Sequence, residues 1–480
     1  MDELDSLDGT ALAALMRKGE LTPTTLLDRA LERAVALSDL NAVVSTEPAA
    51  ARRELAEADP KTAFYGVPFL LKDLGAEARA FPTTNGSRLY RGTAHAYDSE
   101  IYLRCKRAGL VTFGRTASPE FGIGPVTEAQ VYPGPARNPW RLSHTPGGSS
   151  GGAAAAVAAG IVPVAHGSDG GGSVRIPASC CGLVGFKATR ARMPDGPGAG
   201  EGWGGMAIDG FLTRSLRDTA ALLDLCSGAD LGAPYWAPPL EGTFSEAIDR
   251  PPKRLRIAWL DRSFTGAEIH PDCRAAVSRT AKLLEDLGHN IEEGALPADL
   301  DITAMMTAWT TIVACGTALT VHAKTGGTDP DRPLIEAVTA GALALAGRTS
   351  GASYLAALNA IHAFGRRMAR WFESFDILVT PTLAAPPAPI GRLAPVNRDF
   401  LDYRMGPGGV FDYSPFCAAF NASGQPAVSL PLHWNSDGLP IGVHLAARFG
   451  ADETLMALAA ELEAATPWAA TQTSLIERLR

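Results

Sequence analysis

The sequence has few of the side chains that bind metals or form disulfides. Its 480 residues include seven cysteines, none of them spaced as C-x-x-C, and nine histidines without an H-E-x-x-H segment. These absences exclude the common zinc patterns and a disulfide framework. They predict reduced thiols, a cytoplasmic location and a function that uses no metal or cofactor.

The sequence also lacks the marks of nucleotide-, nucleic-acid- and membrane-binding proteins. It has no G-x-x-x-x-G-K-[ST] segment and no G-x-G-x-x-G opening a helix after an early strand. The net charge is −8, without blocks of like charge, which argues against nucleic acid and anionic membranes as partners. The longest apolar stretch is interrupted by Gly160 and Pro163, and it is therefore too short to span a bilayer. The first twenty residues do not have the pattern of a secretory signal.

What is present is the alternation of helices and strands typical of an α/β protein. Thr22-Pro23 is a helix-start signal, and Tyr65–Gly75 is typical of a buried strand that leads into a loop. Ser150–Ala159 is expected to form a buried, alanine-rich helix, and the chain from Ile161 leads as a strand into a glycine loop. With no internal repeat or long linker, the pattern predicts one compact α/β domain.

The second half continues the alternation. Residues 252–293 predict strand, helix and strand, and residues 301–375 are mostly helical by pattern. A hairpin is expected to turn at Ser436–Gly438. The segment from Leu212 to Gly228 predicts an amphipathic helix, and residues 193–207 and 228–253 are expected to be surface loops because they are rich in glycine and proline.

Three features together suggest acyl transfer without histidine: Lys72 in "GVPFLLKDL", the pair Ser149-Ser150 in "TPGGSSGG", and Ser173 in "GSDGGGSVRIPAS". Such chemistry needs a nucleophile, a base and donors for the oxyanion. A lysine can be the base only where its pKa is lowered from about 10.4, and burial at the end of an apolar strand does this. The alternative for Lys72 is an ion pair with neighbouring Asp73.

One motif favours a different interpretation. The segment 148–152 fits G-x-S-x-G, the nucleophile elbow of α/β-hydrolases. That elbow follows a strand directly, whereas "WRLSHTPGG" has the composition of a loop. His433 and His444 are available as downstream bases but have no supporting pattern, so this interpretation is disfavoured. His166, beside the glycine loop, is the one histidine that merits examination as a site residue.

The combined pattern resembles the amidase signature family over nearly the whole chain. G-G-S-S-G-G is followed, 24 residues after Ser149, by G-x-D-x-G-G-S-[IV]-R, and G-V-P-x-x-x-K-D lies upstream. Further matching segments are "GRTASPEFG", "ARNPW", "CGLVGFKAT", "LTRSLRDTAALLD", "DILVTPT", "NASGQPAVSLP" and "GLPIGVHL". So long a composite is far more specific than any one short motif.

The resemblance implies roles for the serines and the lysine. Ser173 corresponds to the acylated nucleophile, Ser149 to the serine that relays the proton and often follows a cis peptide bond, and Lys72 to the ultimate base. Ser150 corresponds to a structural hydrogen-bond partner.

The resemblance also assigns the glycine loop. The backbone N–H groups of Gly170, Gly171, Gly172 and Ser173 are implied to form the oxyanion hole. Asp169 and Arg175 are implied to pair and brace the loop. Two departures from the family pattern are small: Ser168 stands where threonine is usual, and Gly170 where the family often has a larger residue.

The implied fold is a single domain over residues 1–480, with a mixed, twisted central sheet covered by helices on both faces. Residues 1–60 would supply N-terminal helices, 61–230 the catalytic core, and 231–480 the rest of the sheet and the pocket. The pocket is expected to come from residues 120–131, 195–210, 303–318 and 400–417, with Cys315 either near it or a buried structural thiol.

The implied substrate is a small hydrophobic amide, linear, aryl or cyclic, because the chain most resembles the subgroup of nylon-oligomer amidases. A homodimer is the family expectation. Carbamate cleavage or aryl acylamidase activity by the same three residues stays open. So does a glutaminase subunit of a tRNA-dependent amidotransferase. A non-catalytic binder is the third alternative, and the complete set of catalytic residue types argues against it.

Overall fold

The computed structural model describes residues 2–480, and Met1 lies outside this range. Within the described residues, eleven strands form one sheet. In chain order they are β1 Val43–Thr46, β2 Pro68–Lys72, β3 Val111–Thr116, β4 Val164–Asp169, β5 Val184–Lys187, β6 Ile208–Thr213, β7 Arg256–Trp259, β8 Asn290–Glu293, β9 Ile377–Pro381, β10 Ala427–Trp434 and β11 Pro440–Ala447.

The strand order across the sheet is β1-β3-β2-β4-β6-β5-β10-β11-β9-β7-β8. The strands β3, β2 and β4 run parallel to one another, as do β9, β7 and β8. The strands between these two groups pair antiparallel. This mixed sheet confirms the predicted fold class. Both halves of the chain contribute to it, so it runs across the predicted division at residue 230.

Helices surround the sheet. In chain order the α-helices of the described residues are α1 Gly9–Arg17, α2 Pro23–Ala36, α3 Pro48–Glu57, α4 Glu100–Arg107, α5 Gly151–Ala158, α6 Arg175–Cys181, α7 Leu216–Cys226, α8 Phe244–Ile248, α9 Pro271–Asp286, α10 Ile302–Thr325, α11 Ala337–Gly347, α12 Gly351–Trp371, α13 Phe400–Met405, α14 Val410–Tyr413, α15 Cys417–Ser423, α16 Asp452–Ala465 and α17 Ala469–Arg478.

Alternate residues of the central strands enter different cores, as the two-residue period of a strand requires. Phe69 and Leu71 of β2 pack in a cluster that includes residues of α7 and α16. Leu70, between them, packs in another cluster with the alanines of α5. The sheet is therefore buried on both faces. By the same alternation Lys72 belongs to the face of Leu70, which α5 covers.

The strands β2 and β4 are parallel neighbours, so their carboxyl ends lie at the same edge of the sheet. The first strand ends at Lys72, and the second ends at Asp169 with the glycine loop directly after it. Ligand sites of α/β sheets commonly form at such edges. The topology alone thus brings together two features that are almost a hundred residues apart in sequence.

Most predicted elements are present, with a few corrections. Thr22 caps α2 as predicted, its side chain accepting the N–H of Thr25 at 3.2 Å. The helix predicted from Leu212 begins at Leu216, because Ser215 caps it by accepting the N–H of Asp218. The residues before the cap belong to β6. The loop expected over 228–253 contains the short helix α8, which has a complete capping box.

The helix α10 is long and apolar enough to pass a length-and-composition test for a membrane span. More than half of its most apolar window is buried inside the protein. Its buried side chains pack with those of α11, α12 and α15 in one core cluster. Core helices of globular proteins pass the same test, so its composition is explained by this packing.

Candidate active site

Lys72 is the most unusual charged residue at this edge of the sheet, because its side chain is fully buried. Its Nζ lies 2.7 Å from Ser149 Oγ and 3.0 Å from Ser168 Oγ. Burial lowers the pKa of Lys72 from its ordinary value to about 7, although the negative charges of Asp209 and Asp169 act in the opposite direction. A substantial fraction of Lys72 is therefore neutral near pH 7 and able to accept a proton.

The ion pair considered for Lys72 and Asp73 is not formed. The Asp73 carboxylate accepts hydrogen bonds from Thr83 Oγ1 at 2.6 Å and the N–H of Thr84 at 2.7 Å. The hydroxyl of Tyr132 donates to it at 2.6 Å. Asp73 thus stabilises the loop after β2 by accepting hydrogen bonds from it, while the Lys72 side chain points to the serine pair.

The serine pair lies immediately before α5. The peptide bond between Gly148 and Ser149 is cis. Both serines are buried, and Ser150 is the N-cap residue of α5. The N–H of Ser150 donates to the carbonyl of Ser173 at 3.2 Å, which ties the pair to the glycine loop. The Ser150 hydroxyl also accepts the N–H of Ser168 at 3.3 Å. These contacts match the bracing role that the resemblance implied for Ser150.

The glycine loop, residues 170–173, has backbone donors that point to no protein acceptor. In the range that the structure describes, the N–H groups of Gly170, Gly171 and Ser173 have no hydrogen-bond partner. The N–H of Gly172, by contrast, donates to Asp169 Oδ1 at 2.8 Å. Gly172 therefore differs from the expectation that it supplies an oxyanion donor. Its φ of 118° is instead the left-handed conformation that the turn needs and that glycine adopts without strain.

A buried ion pair braces the loop from behind. Arg175 donates to Asp169 from Nε at 2.9 Å and from Nη2 at 2.8 Å. Burial alone would raise the pKa of Asp169, but the Arg175 guanidinium and the hydrogen bonds hold it well below its usual range. Asn421 donates to both the carbonyl and the carboxylate of Asp169 at 2.9 Å, and to the carbonyl of Met206 at 3.0 Å. It links the glycine loop to the segment around Trp203, a link that the sequence did not indicate.

These groups open onto a cavity of about 320 Å³. Ser149, Ser168, Gly170 and Ser173 all line it. Three of the four loops predicted to form the pocket contribute to it: 120–131, 195–210 and 303–318. Residues of the fourth loop, 400–417, line a smaller cleft that also includes Ser173. The segment from Leu74 to Glu77 also contributes, which was not predicted.

Two tryptophans hold the glycine loop in place, and sequence reasoning missed both. A Cβ on Gly170 would lie 2.5 Å from the ring of Trp203, and one on Gly171 would lie 2.7 Å from the ring of Trp309. Trp309 Nε1 donates to the carbonyl of Gly170 at 2.9 Å. The two rings pack edge to face, with centroids 6.0 Å apart. The absence of a side chain at Gly170, a departure from the family pattern, thus makes room for Trp203.

Trp203 itself adopts a φ of 51°, a conformation unusual for a large side chain. It lies in the segment 193–207, which was expected to be a surface loop and, from residue 195 on, part of the pocket; the segment forms a wall of the cavity. Its ring occupies the space above Gly316 of α10 as well as above Gly170. A tryptophan flanked by glycines in "EGWGGM" was the available signal.

The three histidines considered in the sequence, and Cys315, do not line the cavity. His166 Nδ1 accepts the backbone N–H of Lys72 at 3.3 Å, so its proton lies on Nε2, which is 3.1 Å from Asp209 Oδ1. His444 Nε2 contacts Arg175 Nη1 at 2.9 Å, and His433 contacts Thr280. Among residues 2–480, no group of three or more His, Cys, Asp or Glu is placed to hold a metal ion.

Comparison with known proteins agrees with this geometry. A family model described as Amidase matches residues 25–456, and the chain belongs to the amidase family. A 6-aminohexanoate-cyclic-dimer hydrolase of Paenarthrobacter ureafaciens is 36% identical over 486 residues, covering 98% of this chain and 97% of that protein. The solved structure of a 6-aminohexanoate cyclic dimer hydrolase with substrate has 34% identity and a TM-score of 0.92, covering 98% of this chain and 99% of that one.

A bacterial aryl acylamidase of the amidase signature family is a third relative. Its structure is 26% identical, with a TM-score of 0.85 and 98% of each chain covered. The family resemblance found in the sequence is thereby confirmed, and the chain is an amidase, a serine amidohydrolase that acts on carbon–nitrogen bonds. The alternatives of an amidotransferase subunit and a non-catalytic binder are not favoured.

Proposed function

We propose that this amidase uses Ser173 as nucleophile, Ser149 as proton relay and Lys72 as base. The observation that carries the proposal is the contact of 2.7 Å between Lys72 Nζ and Ser149 Oγ, made by a lysine whose pKa is lowered to about 7 by burial. Ser149 and Ser173 line the same cavity, so a substrate carbonyl can approach both. A buried lysine is a competent base only when it is neutral, and burial favours that form.

The reaction follows from this arrangement. Neutral Lys72 accepts the proton of Ser149 while Ser149 takes the proton of Ser173, whose Oγ forms a bond to the amide carbon. The developing oxyanion accepts hydrogen bonds from unpaired N–H groups of the glycine loop, for which Gly170, Gly171 and Ser173 are the proposed donors. When the C–N bond breaks, the relay returns a proton to the leaving amine. Water then attacks the acyl-enzyme and regenerates Ser173.

The proposed substrates are small hydrophobic amides, linear, aryl or cyclic. The cavity volume of about 320 Å³ is at the lower end of the range for small-molecule sites. Leu74, Ile101, Phe121 and Trp203 give it an apolar part. The named relatives act on a 6-aminohexanoate cyclic dimer and on aryl acylamides.

A panel of substrates and one covalent probe test the proposal. The panel contains anilides, lactam dimers, short aliphatic amides and carbamates, and the probe is a fluorophosphonate. We expect hydrolysis of at least one hydrophobic amide and labelling of Ser173, located by mass spectrometry of the peptides. Labelling at another serine, or an enzyme that accepts only carbamates, would contradict the proposal.

Two further properties are proposed with it. We expect the protein to act in the cytoplasm, because all seven cysteines are free thiols in the structure. A homodimer is expected from the family, and sedimentation of the purified protein tests it.

A further inference from the structure

The charged residues that line the catalytic cavity are all of one sign. Glu77, Asp195 and Asp209 contribute to its wall. Within the part of the chain that the structure describes, no arginine or lysine side chain is among the lining residues. Lys72 lies behind the serines, bonded to Ser149 and Ser168. A substrate in the cavity therefore meets carboxyl groups and no exposed cation.

Asp195, like Glu77, is a carboxyl group of this set that is left without a hydrogen-bond partner among the described residues. Asp209 bonds with His166. The Asp195 carboxyl makes no hydrogen bond or ion pair with any residue in the range 2–480 for which the structure gives one. Burial raises its pKa to about 8, and the negative charges of Asp209, Asp230 and Glu201 act in the same direction. A desolvated carboxyl group beside other acids is stabilised by a positive charge that the protein does not supply.

The arginine of the cleft next to the cavity is committed to other partners. Arg190 lines a small cleft next to the cavity, together with Asp195, Glu201 and Asp230. Its guanidinium donates to the carbonyl of Gly205 at 2.7 Å and to two carbonyls of the segment 421–422 at 2.8 Å. Asp230 in turn accepts the N–H of Gly196. The surroundings of Asp195 thus remain negative on the side of the cavity.

We propose that the cavity selects amides that carry an ammonium group, with Asp195 as its counter-ion, and rejects amides that carry a carboxylate. The inference rests on the proposed function, since it assumes that this cavity binds the substrate. An ammonium group within reach of Asp195 forms a charge-assisted hydrogen bond with its ionised carboxylate. A carboxylate in the same place lies beside these carboxyl groups without a cation to pair with.

The proposal has a pH dependence of its own. An ammonium group binds the ionised form of Asp195 better, so its apparent affinity increases as the pH rises through about 8. Burial raises the pKa of Asp195, and the negative charges of Asp209, Asp230 and Glu201 raise it further. Lys72 affects the chemical step of every substrate equally. The Asp195 effect is therefore a change in KM restricted to cationic substrates.

Three matched substrates test the selection: the p-nitroanilides of 6-aminohexanoic, hexanoic and adipic acid, the last with a free carboxylate. At pH 8.5 we expect kcat/KM for the ammonium substrate to exceed that for the neutral one by about tenfold, and the carboxylate substrate to be the poorest. In Asp195→Asn the ratio of ammonium to neutral substrate is expected to fall to between one and three. An equal rate for the first two substrates in the wild type, or an unchanged ratio in the variant, would overturn the proposal.

Glu201→Gln is the matched control. It removes one nearby negative charge, but Glu201 lines the adjacent cleft and not the cavity. We expect the ratio of kcat/KM for the ammonium and neutral substrates to stay within about twofold of the wild type. The reason is that salt screens the interaction between the Glu201 charge and a substrate in the cavity. A loss of preference equal to that of Asp195→Asn would show that only overall charge matters, against the proposal.

A second measurement does not depend on turnover of the anilides. Hexylamine and hexanoate are compared as protectants against fluorophosphonate labelling of Ser173. We expect protection by hexylamine that strengthens between pH 7 and 9 in the wild type and weakens in Asp195→Asn. Protection by hexanoate alone, or equal protection by both, refutes the inference while the labelling itself still supports Ser173 as the nucleophile. Absence of labelling counts against the proposed function, on which this inference rests.

Discussion

Lys72 Nζ and Ser149 Oγ are 2.7 Å apart, and both side chains are buried. Neither residue is near the other in sequence; the strand β2 brings the first to the edge of the sheet and the start of α5 brings the second. Because the amine is buried, its pKa is lowered to about 7, and the contact joins a base to a hydroxyl. The next two predictions follow from this relationship.

The first prediction is a rate that rises with pH. For a neutral anilide, we expect kcat/KM to rise with a slope of about one below pH 7 and to level off above about pH 8, as Lys72 loses its proton. Asp209→Asn is expected to shift the midpoint to lower pH, because the Asp209 charge stabilises the protonated lysine. Initial rates from pH 5.5 to 9 measure both. A flat profile between pH 6 and 9, with chemistry limiting, would exclude Lys72 as the base.

The second prediction concerns stability. The unfolded lysine has a pKa of about 10.4, so between pH 7 and that value the unfolded chain binds the extra proton and the free energy of unfolding rises with pH. Lys72→Met lacks this term. We expect the variant to be inactive, with a Tm relative to the wild type that is highest at pH 6 and falls toward pH 10. Calorimetry at pH 6, 8 and 10 provides the test, and a difference independent of pH would argue against a lowered lysine pKa.

The third prediction separates the two serines that the sequence makes candidates for the nucleophile. Ser173→Ala is expected to reduce kcat by at least about 10⁴-fold and to abolish fluorophosphonate labelling. Ser150→Ala is the control, because Ser150 bonds to the loop and does not line the cavity. It is expected to keep its label at a reduced rate. If the label survives in Ser173→Ala and disappears in Ser150→Ala, the nucleophile is Ser150.

The fourth prediction concerns the buried pair behind the loop. Asp169→Asn leaves the Arg175 guanidinium buried without its counter-charge, and we expect a loss of about 3–5 kcal/mol in the free energy of unfolding. Because the pKa of Asp169 is lower in the folded than in the unfolded protein, the wild type has this stability at neutral pH and loses it as the pH falls below about 4. Urea unfolding at pH 7 and at about pH 2 measures the effect. A loss smaller than about 1 kcal/mol at pH 7 would mean that the pair braces little.

The sequence predicts correctly those parts of the site whose structure depends on a few consecutive residues. The strand before Lys72, the helix after Ser150 and the glycine turn before Ser173 each depend on a few consecutive residues, and the structure has all three. The mixed sheet was predicted only through the family resemblance, because strands such as β1 and β5 have four residues each and no strong pattern.

The parts of the site that were not predicted come from distant segments. Trp309 reaches the glycine loop from α10, and Asn421 reaches Asp169 from α15. The positions of these two side chains depend on how distant helices pack against the loop, and the hydrophobic periodicity of the sequence does not indicate that packing. Asp195 lies at the start of the predicted pocket loop 195–210, but the composition of that loop does not indicate which of its side chains face the cavity.

The last prediction tests why Gly170 has no side chain. Two reasons are possible: its N–H must face the substrate oxygen, or its Cα must make room for the Trp203 ring, from which a Cβ would be 2.5 Å away. If the ring is the constraint, Gly170→Ala moves the loop by collision and lowers kcat by about 10²–10³-fold, as loss of one oxyanion donor does. The double variant with Trp203→Ala then regains most of that loss relative to Trp203→Ala alone. A double-mutant cycle on kcat, with Tm measured for each protein, gives the coupling. Additive effects would mean that the ring does not constrain the loop and that Gly170 is needed for the geometry of its own backbone.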